Sequence, residues 1–212
     1  MLEQSKTIAS LLSVSSYIAA QMLADVASLK IALIPAGPIG SLSIDGGTFI
    51  YPLTFTLRDL VHKMLGKRAA RVLIVAAAGI NLFMAALFGF VSWLPPDPSW
   101  ALQAEFAAIL GPVWRIVIAS IIAEVVSELL DTEVYHLWVT RVTTRYQWAR
   151  VLTSNVVSVP VDSLIFSWIA FGSMLPAGVV WSIFWSNVLV KGAVTLLSLP
   201  GIYLVPERGT SS

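Results

Sequence analysis

Apolar residues run along this chain in long stretches, and charged or amide side chains interrupt those stretches from within. A bilayer-spanning helix needs about 20 predominantly apolar residues. Six stretches meet or approach that length: residues 7–29, 47–61, 70–94, 113–138, 149–171 and 178–204. The pattern predicts an all-α integral membrane protein, with one six-helix transmembrane domain over residues 1–212. The second stretch is the weakest. It is short, holds Pro52, and ends near Arg58 and Asp59, so it reads as a broken or partly re-entrant helix. Non-helical backbone at that depth is tolerated only where protein or a water-filled cavity satisfies it. The connections are short and full of breakers. Residues 34–47 form a turn-rich loop with Pro35, Pro38 and glycines, residues 94–99 read Leu-Pro-Pro-Asp-Pro-Ser, and residues 172–178 make a tight apolar turn.

Composition agrees with a membrane protein. Of 212 residues, 57% are hydrophobic and 12% charged, against roughly 25% charged in soluble domains; the mean hydropathy is +0.83. Lys6 precedes a long apolar stretch with no small-residue cleavage site after it, which predicts a first spanning helix and not a cleaved signal. Trp93, Trp100, Trp138 and Trp148 fall near helix ends, as interfacial anchors do.

Basic residues set the orientation. Lys63, Lys67, Arg68 and Arg71 follow the second stretch, and Arg141, Arg145 and Arg150 follow the fourth; Lys6 and Arg208 flank the ends. In a six-helix arrangement all of these share one side, and the opposite loops carry only Lys30. Both termini are therefore expected in the cytoplasm.

A charge at bilayer depth costs about 2.5–3.5 kcal/mol on insertion scales, so it persists only where it is paired or faces a polar cavity. Glu124, Glu128, Asp131 and Tyr135 fall at spacings of four, three and four along one face of the fourth helix. Arg115 lies near the other end of that helix, about 160° round from Asp131. Asn155, Ser158 and Asp162 share a face of the fifth helix, with Pro160 between them. Lys191 stands alone at mid-depth on the sixth helix, with Asn187 and Thr195 one turn either side; its natural partner is Asp162 or Glu124. The first helix offers Tyr17, Gln21, Asp25 and Ser28, the second Thr54 and Asp59, and the third Asn81. Every helix thus brings at least one polar group, as a bundle surrounding a polar solute would.

Several chemistries are excluded. There are no cysteines, so thiolate metal sites and cysteine nucleophiles are out, and the net charge of +1 predicts no nucleic-acid partner. No HExxH, GxSxG or Walker lysine loop is present. His62 and His136 sit at cytoplasmic helix ends, so no paired-histidine metal site is available, and no cofactor or metal is expected. Lys191 with a serine could form a hydrolase dyad, but nothing supplies an oxyanion hole.

Blocks of sequence resemble the vitamin uptake transporter family, the YhhQ type. They are Tyr51-Pro52-Leu53-Thr54-Phe55 with Asp59-Leu60 and Gly66; Arg115 with Leu129-Leu130-Asp131 and Val134-Tyr135; Ser154-Asn155 with Val161-Asp162-Ser163 and Phe166; and Lys191 followed by Pro200. The resemblance implies a six-helix protein of the bacterial inner membrane, similar to the substrate-binding subunits of energy-coupling-factor importers. It implies import of queuosine precursors: 7-cyano-7-deazaguanine, its aminomethyl relative, and queuine for some members. Members are held to work without the ATPase module; a binding subunit that needs such a partner is the alternative. Relatives carry an asparagine on the first helix where this chain has Gln21.

Such a base suits the residues. Its N1–H and 2-amino group would donate to one carboxylate, Asp162 or Glu128, while an amide or cation binds its carbonyl. Asn155, Gln21 and Lys191 are the expected edge readers. Trp185, Phe166 or Tyr17 would stack the ring. Glu124 and Asp131 are candidates for carrying a proton, and Asp59 and Arg115 complete the candidate set. Small-residue faces permit a homodimer.

Overall fold

The long apolar stretches fold as helices. A computed structural model describes residues 2–141 and 147–203. Among them, helix α1 spans Leu2–Ala27 and is followed by strands β1 (Ile31–Pro35) and β2 (Ser41–Asp45). Then come α2 (Tyr51–Leu65), α3 (Lys67–Trp93), the short α4 (Gln103–Leu110), α5 (Val113–Arg141), α6 (Gln147–Phe171) and α7 (Ala177–Tyr203). Five of the six expected helices match α1, α3, α5, α6 and α7 to within a few residues.

Burial is inverted relative to a water-soluble protein. Leu197, Trp93 and Val75 are 81%, 77% and 72% exposed, whereas Asp25, Asp45, Ser28 and Asn187 are fully buried. Large apolar side chains on the outside and acids on the inside fit a bundle whose solvent is hydrocarbon. Among the described residues, four stretches are long and apolar enough to cross a bilayer: Thr7–Ala27, Arg68–Trp93, Gln103–Ser127 and Ala177–Leu197. The apolar part of α6, Asn155–Phe171, is shorter. This is a multi-pass membrane protein.

Residues 31–45 depart from the expected loop. They form an antiparallel β-hairpin with Ile31 opposite Asp45 and Leu33 opposite Ser43. The outer edge of β2 would leave backbone groups unpaired inside the bundle, a costly state away from water. Helix α7 resolves this with two serines one turn apart. The Ser43 N–H donates to Ser182 Oγ at 2.7 Å, and Ser186 Oγ donates to the Ser43 carbonyl at 2.8 Å.

The second expected helix is also redrawn. Residues Gly46–Phe49 form a 3₁₀ turn, and α2 begins only at Tyr51. Its 15 residues extend about 22 Å, less than the ~30 Å hydrocarbon core. At its far end Gly66 takes φ +90°, a conformation a side chain would oppose, and α3 starts at the next residue.

Pro160 lies inside α6 without ending it, and α5 and α6 pack along most of their length. Ile116, Ala123, Phe166 and Ile183 form part of a core where α5, α6 and α7 meet. Tyr17, Val61, Leu73 and Ala77 join α1, α2 and α3. In the α3–α4 connection, Asp97 accepts from the Ser99 hydroxyl and N–H, which hold its carboxyl below the usual carboxylate range.

Candidate functional site

Two buried acids, Asp45 and Asp25, and a third that keeps one-fifth of its exposure, Asp162, surround the start of α2. The first, Asp45, ends β2 and has no exposure. Ser28 Oγ donates to its Oδ1 at 2.8 Å, and the Thr48 N–H donates to the same oxygen at 3.2 Å. Asn187 Nδ2 donates to Oδ2 at 3.1 Å. The Thr48 hydroxyl lies 2.8 Å from Asp45 Oδ2 and 2.6 Å from Asn187 Oδ1, so its single proton serves one of them at a time. Glycines make this approach possible. A Cβ on Gly47 would stand 2.1 Å from Ser28 Oγ and 2.7 Å from the Ala24 carbonyl oxygen; one on Gly46 would stand 2.4 Å from the Ala27 carbonyl oxygen.

The second acid, Asp25 on α1, receives Asn81 Nδ2 at 2.8 Å from α3 and Ser120 Oγ at 3.1 Å from α5. The third, Asp162 on α6, forms an ion pair with Lys191 on α7 and accepts from Ser127 Oγ at 3.2 Å. Lys191 is 9% exposed. Of the two partners the sequence offers this lysine, the fold brings Asp162.

Tyr51 connects the groups. Its hydroxyl lies 3.1 Å from Ser120 Oγ, and Lys191 Nζ sits 5.3 Å from its ring centre, within cation–π range. Phe166 meets the same ring edge-on at 6.2 Å.

Other expected site residues divide. Gln21 is half-buried and donates to the Tyr17 hydroxyl at 3.0 Å. Gln21 and Glu124 line one small cavity together with Tyr17, Asp25, Asn81 and Ser120. Asn155 is half-buried on α6, two turns from Asp162. Arg115 does not join them. Its guanidinium donates to Ser173 Oγ at 2.5 Å and to the Ile169 carbonyl at 3.4 Å, at the opposite end of α6 from Asn155. The side chains of Asp59, Glu128 and Asp131 lie outside the described residues.

Trp185 requires a correction. It is 55% exposed and packs edge-on against the buried Phe184, which also meets the exposed Trp181. At 100° per residue it lies about 160° round α7 from the inward Asn187, so the structure places it on the face away from the polar cluster. Phe166 and Tyr17, each 2% exposed, do face inward, as does the half-buried Tyr51.

The residue that sequence reasoning missed is Asp45. Its signal was an acid followed by two glycines and a threonine, placed between apolar residues. Asp25 was visible as part of a polar helix face but not as a central group.

The cavity beside Asp25 has a volume of about 20 Å³. A larger one, about 170 Å³, is lined by apolar residues such as Leu29, Ile116 and Phe171. It contains none of the charged groups, so the polar cluster and not this void is the candidate site. Pockets for small organic ligands run to about 300 Å³ or more, so the cavity beside Asp25 is too small for one.

A family model described as "Putative vitamin uptake transporter" matches residues 45–205, beginning at the buried Asp45. The chain is 31% identical over 172 residues to the "Probable queuosine precursor transporter" of Bacillus subtilis (strain 168), a match covering 78% of this chain and 75% of that protein. No solved structure matches it.

Proposed function

Because the chain belongs to the vitamin uptake transporter family, whose members are transporters and not enzymes, we propose that it imports queuosine precursors across the bacterial cell membrane. The cargo is 7-cyano-7-deazaguanine, its aminomethyl relative or queuine, bound in the bundle interior. The observation that carries this reading is the part-buried Asp162–Lys191 pair beside Tyr51 and Phe166. A 7-deazaguanine edge presents two adjacent donors and one carbonyl. Asp162 accepts from the donors, Lys191 donates to the carbonyl, and each ion exchanges its present partner for the base. Tyr51 and Phe166 supply the aromatic face. Asn155 and Gln21 read the remaining edge, and Glu128 contributes from α5.

The cavity beside Asp25 is too small for the base, so uptake opens the bundle around Tyr51 and Lys191. Alternating exposure of one site near the membrane midplane is how secondary transporters work in general. The chain forms one domain that crosses the membrane six times, with both termini in the cytoplasm. The short α2 makes its crossing together with the hairpin. Basic residues at the α2–α3 and α5–α6 junctions support this orientation.

Uptake of labelled base by cells unable to make the precursor tests the reading. Wild-type protein restores uptake; Asp162→Asn and Lys191→Met each reduce it at least tenfold. Undiminished uptake by both variants would reject the site. Transport by the purified protein alone in liposomes would in addition dispose of the need for an ATPase partner.

A further inference from the structure

The Asp162–Lys191 pair leaves a second polar cluster without a task. Asp25 has no exposure and lies within the apolar stretch Thr7–Ala27. Among the described residues its carboxylate meets two neutral donors, Asn81 Nδ2 and Ser120 Oγ, and no cation. Lys191, the buried cation among the described residues, is engaged with Asp162. Glu124, one turn beyond Ser120 on α5, lines the same cavity and lies close enough to Asp25 to repel it. Ionised carboxylates at membrane depth normally find a compensating charge.

Asn81 gives the independent observation. It is 6% exposed, and its Nδ2 is committed to Asp25. Its Oδ1 is buried and has no hydrogen-bond partner among the described residues. Unpaired buried acceptors are uncommon, and each one calls for an explanation. The cavity that Asn81, Asp25, Ser120 and Glu124 line holds about 20 Å³. That is space for one water-sized particle and too little for a base. Asn81 Oδ1 is an acceptor in surplus, and among the described residues no cation meets the Asp25 carboxylate.

We propose that Asp25, Asn81 and Ser120, with Glu124, bind one dehydrated sodium ion. Carboxylate, carbonyl and hydroxyl oxygens are the ligands of hard cations. The described residues contain no cluster of three His, Cys, Asp or Glu side chains that would hold a metal of higher charge demand. One positive charge satisfies Asn81 Oδ1 and offsets the Asp25–Glu124 repulsion together. Ser120 also meets the Tyr51 hydroxyl, whose ring lies over Lys191. Occupancy at Asp25 is thereby linked through one tyrosine to the proposed base site. This deepens the transport reading by naming the ion that drives it. The coupling rests on that reading, whereas sodium binding does not.

The test is a thermal titration of the purified full-length protein, without base, in sodium chloride against choline chloride at constant ionic strength and fixed pH. Sodium raises Tm saturably and choline does not. Asp25→Asn and Asn81→Leu each raise the half-saturating sodium concentration at least tenfold, and the exposed control Asp97→Asn leaves it within twofold. Ser120→Ala, which removes one ligand oxygen, raises it severalfold and serves if the other variants fail to fold. Equal responses to the two salts overturn the proposal and leave the cavity to a water. A Tm that follows pH but not sodium overturns it in favour of a proton site. A sodium response unchanged in both Asp25→Asn and Ser120→Ala overturns the residue assignment. Loss of base uptake by wild-type protein would defeat the transport reading and leave the sodium titration standing.

Discussion

Asn187 and Asp45 lie 142 positions apart in sequence and meet inside the bundle, where the Asn187 amide donates to Asp45 Oδ2 at 3.1 Å. This bond fastens the hairpin to the last helix below the point where Ser182 and Ser186 hold the strand edge. Removing one partner leaves the other buried and underpaired, at a cost of about 1–3 kcal/mol. Asn187→Leu should therefore lower the Tm of the purified protein and speed hydrogen exchange at the Ser43 amide. Asn187→Asp places a second carboxylate against Asp45 and should be worse than Asn187→Leu at neutral pH. A Tm equal to wild type in both variants would show that the bond holds nothing in place.

The glycines beneath the hairpin give a steric prediction. A Cβ on Gly47 would overlap Ser28 Oγ and the Ala24 carbonyl, and the backbone on that side cannot yield cheaply. Overpacking of this kind costs about 1–3 kcal/mol. Gly47→Ala should lower Tm and base uptake together, because it shifts Asp45 and the start of α2. Gly79→Ala, with open space around its Cβ position, is the control and should be neutral or slightly stabilising. Equal behaviour of the two variants in a melting experiment would contradict the packing described.

The sequence made the helices legible because bilayer thickness fixes their length, and apolar runs report that length directly. It made Asp162 and Lys191 legible for the same reason: a charge within such a run demands a partner. The hairpin was hidden because its prolines and glycines signal an outside loop, and no short-range pattern says that α7 carries two serines spaced to receive its edge. Asp45 was hidden with it. Trp185 was a different failure. Its angle to Asn187 on one helix was available from the spacing alone, and it places the two on opposite faces. The start of α2 at Tyr51, and the convergence of three acids around it, depend on tertiary contacts that spacing does not encode.

The ion pair separates stability from recognition. Breaking a fully buried pair costs about 3–5 kcal/mol, and less where one partner stays partly exposed as Asp162 does, whereas removing both charges is often tolerated. Asp162→Asn and Lys191→Met should each lower Tm markedly, and the double variant should recover much of the loss. The exchange Asp162→Lys with Lys191→Asp should also retain a folded protein. Uptake should stay lost in all four, because the base needs its acceptor and donor on the helices that now carry them. Recovery of uptake in the exchanged variant would mean that the pair serves folding alone.

The aromatic residues on the two sides of the wall make opposite predictions. Trp185 faces outward like Trp181, with its inner edge on the buried Phe184, and Trp185→Leu offers hydrocarbon a side chain of similar character. Its uptake should stay within twofold of wild type. Phe166 is buried against Tyr51, so Phe166→Leu removes the stacking face, worth about 1–3 kcal/mol per base, and should weaken base binding by roughly tenfold. Tyr51→Phe keeps the ring over Lys191 and loses only the hydroxyl beside Ser120. It should retain base affinity far better than Tyr51→Leu. A binding titration of the four variants checks the set: weak binding by Trp185→Leu with normal binding by Phe166→Leu would move the stacking face to the outside of the bundle and reject the interior site.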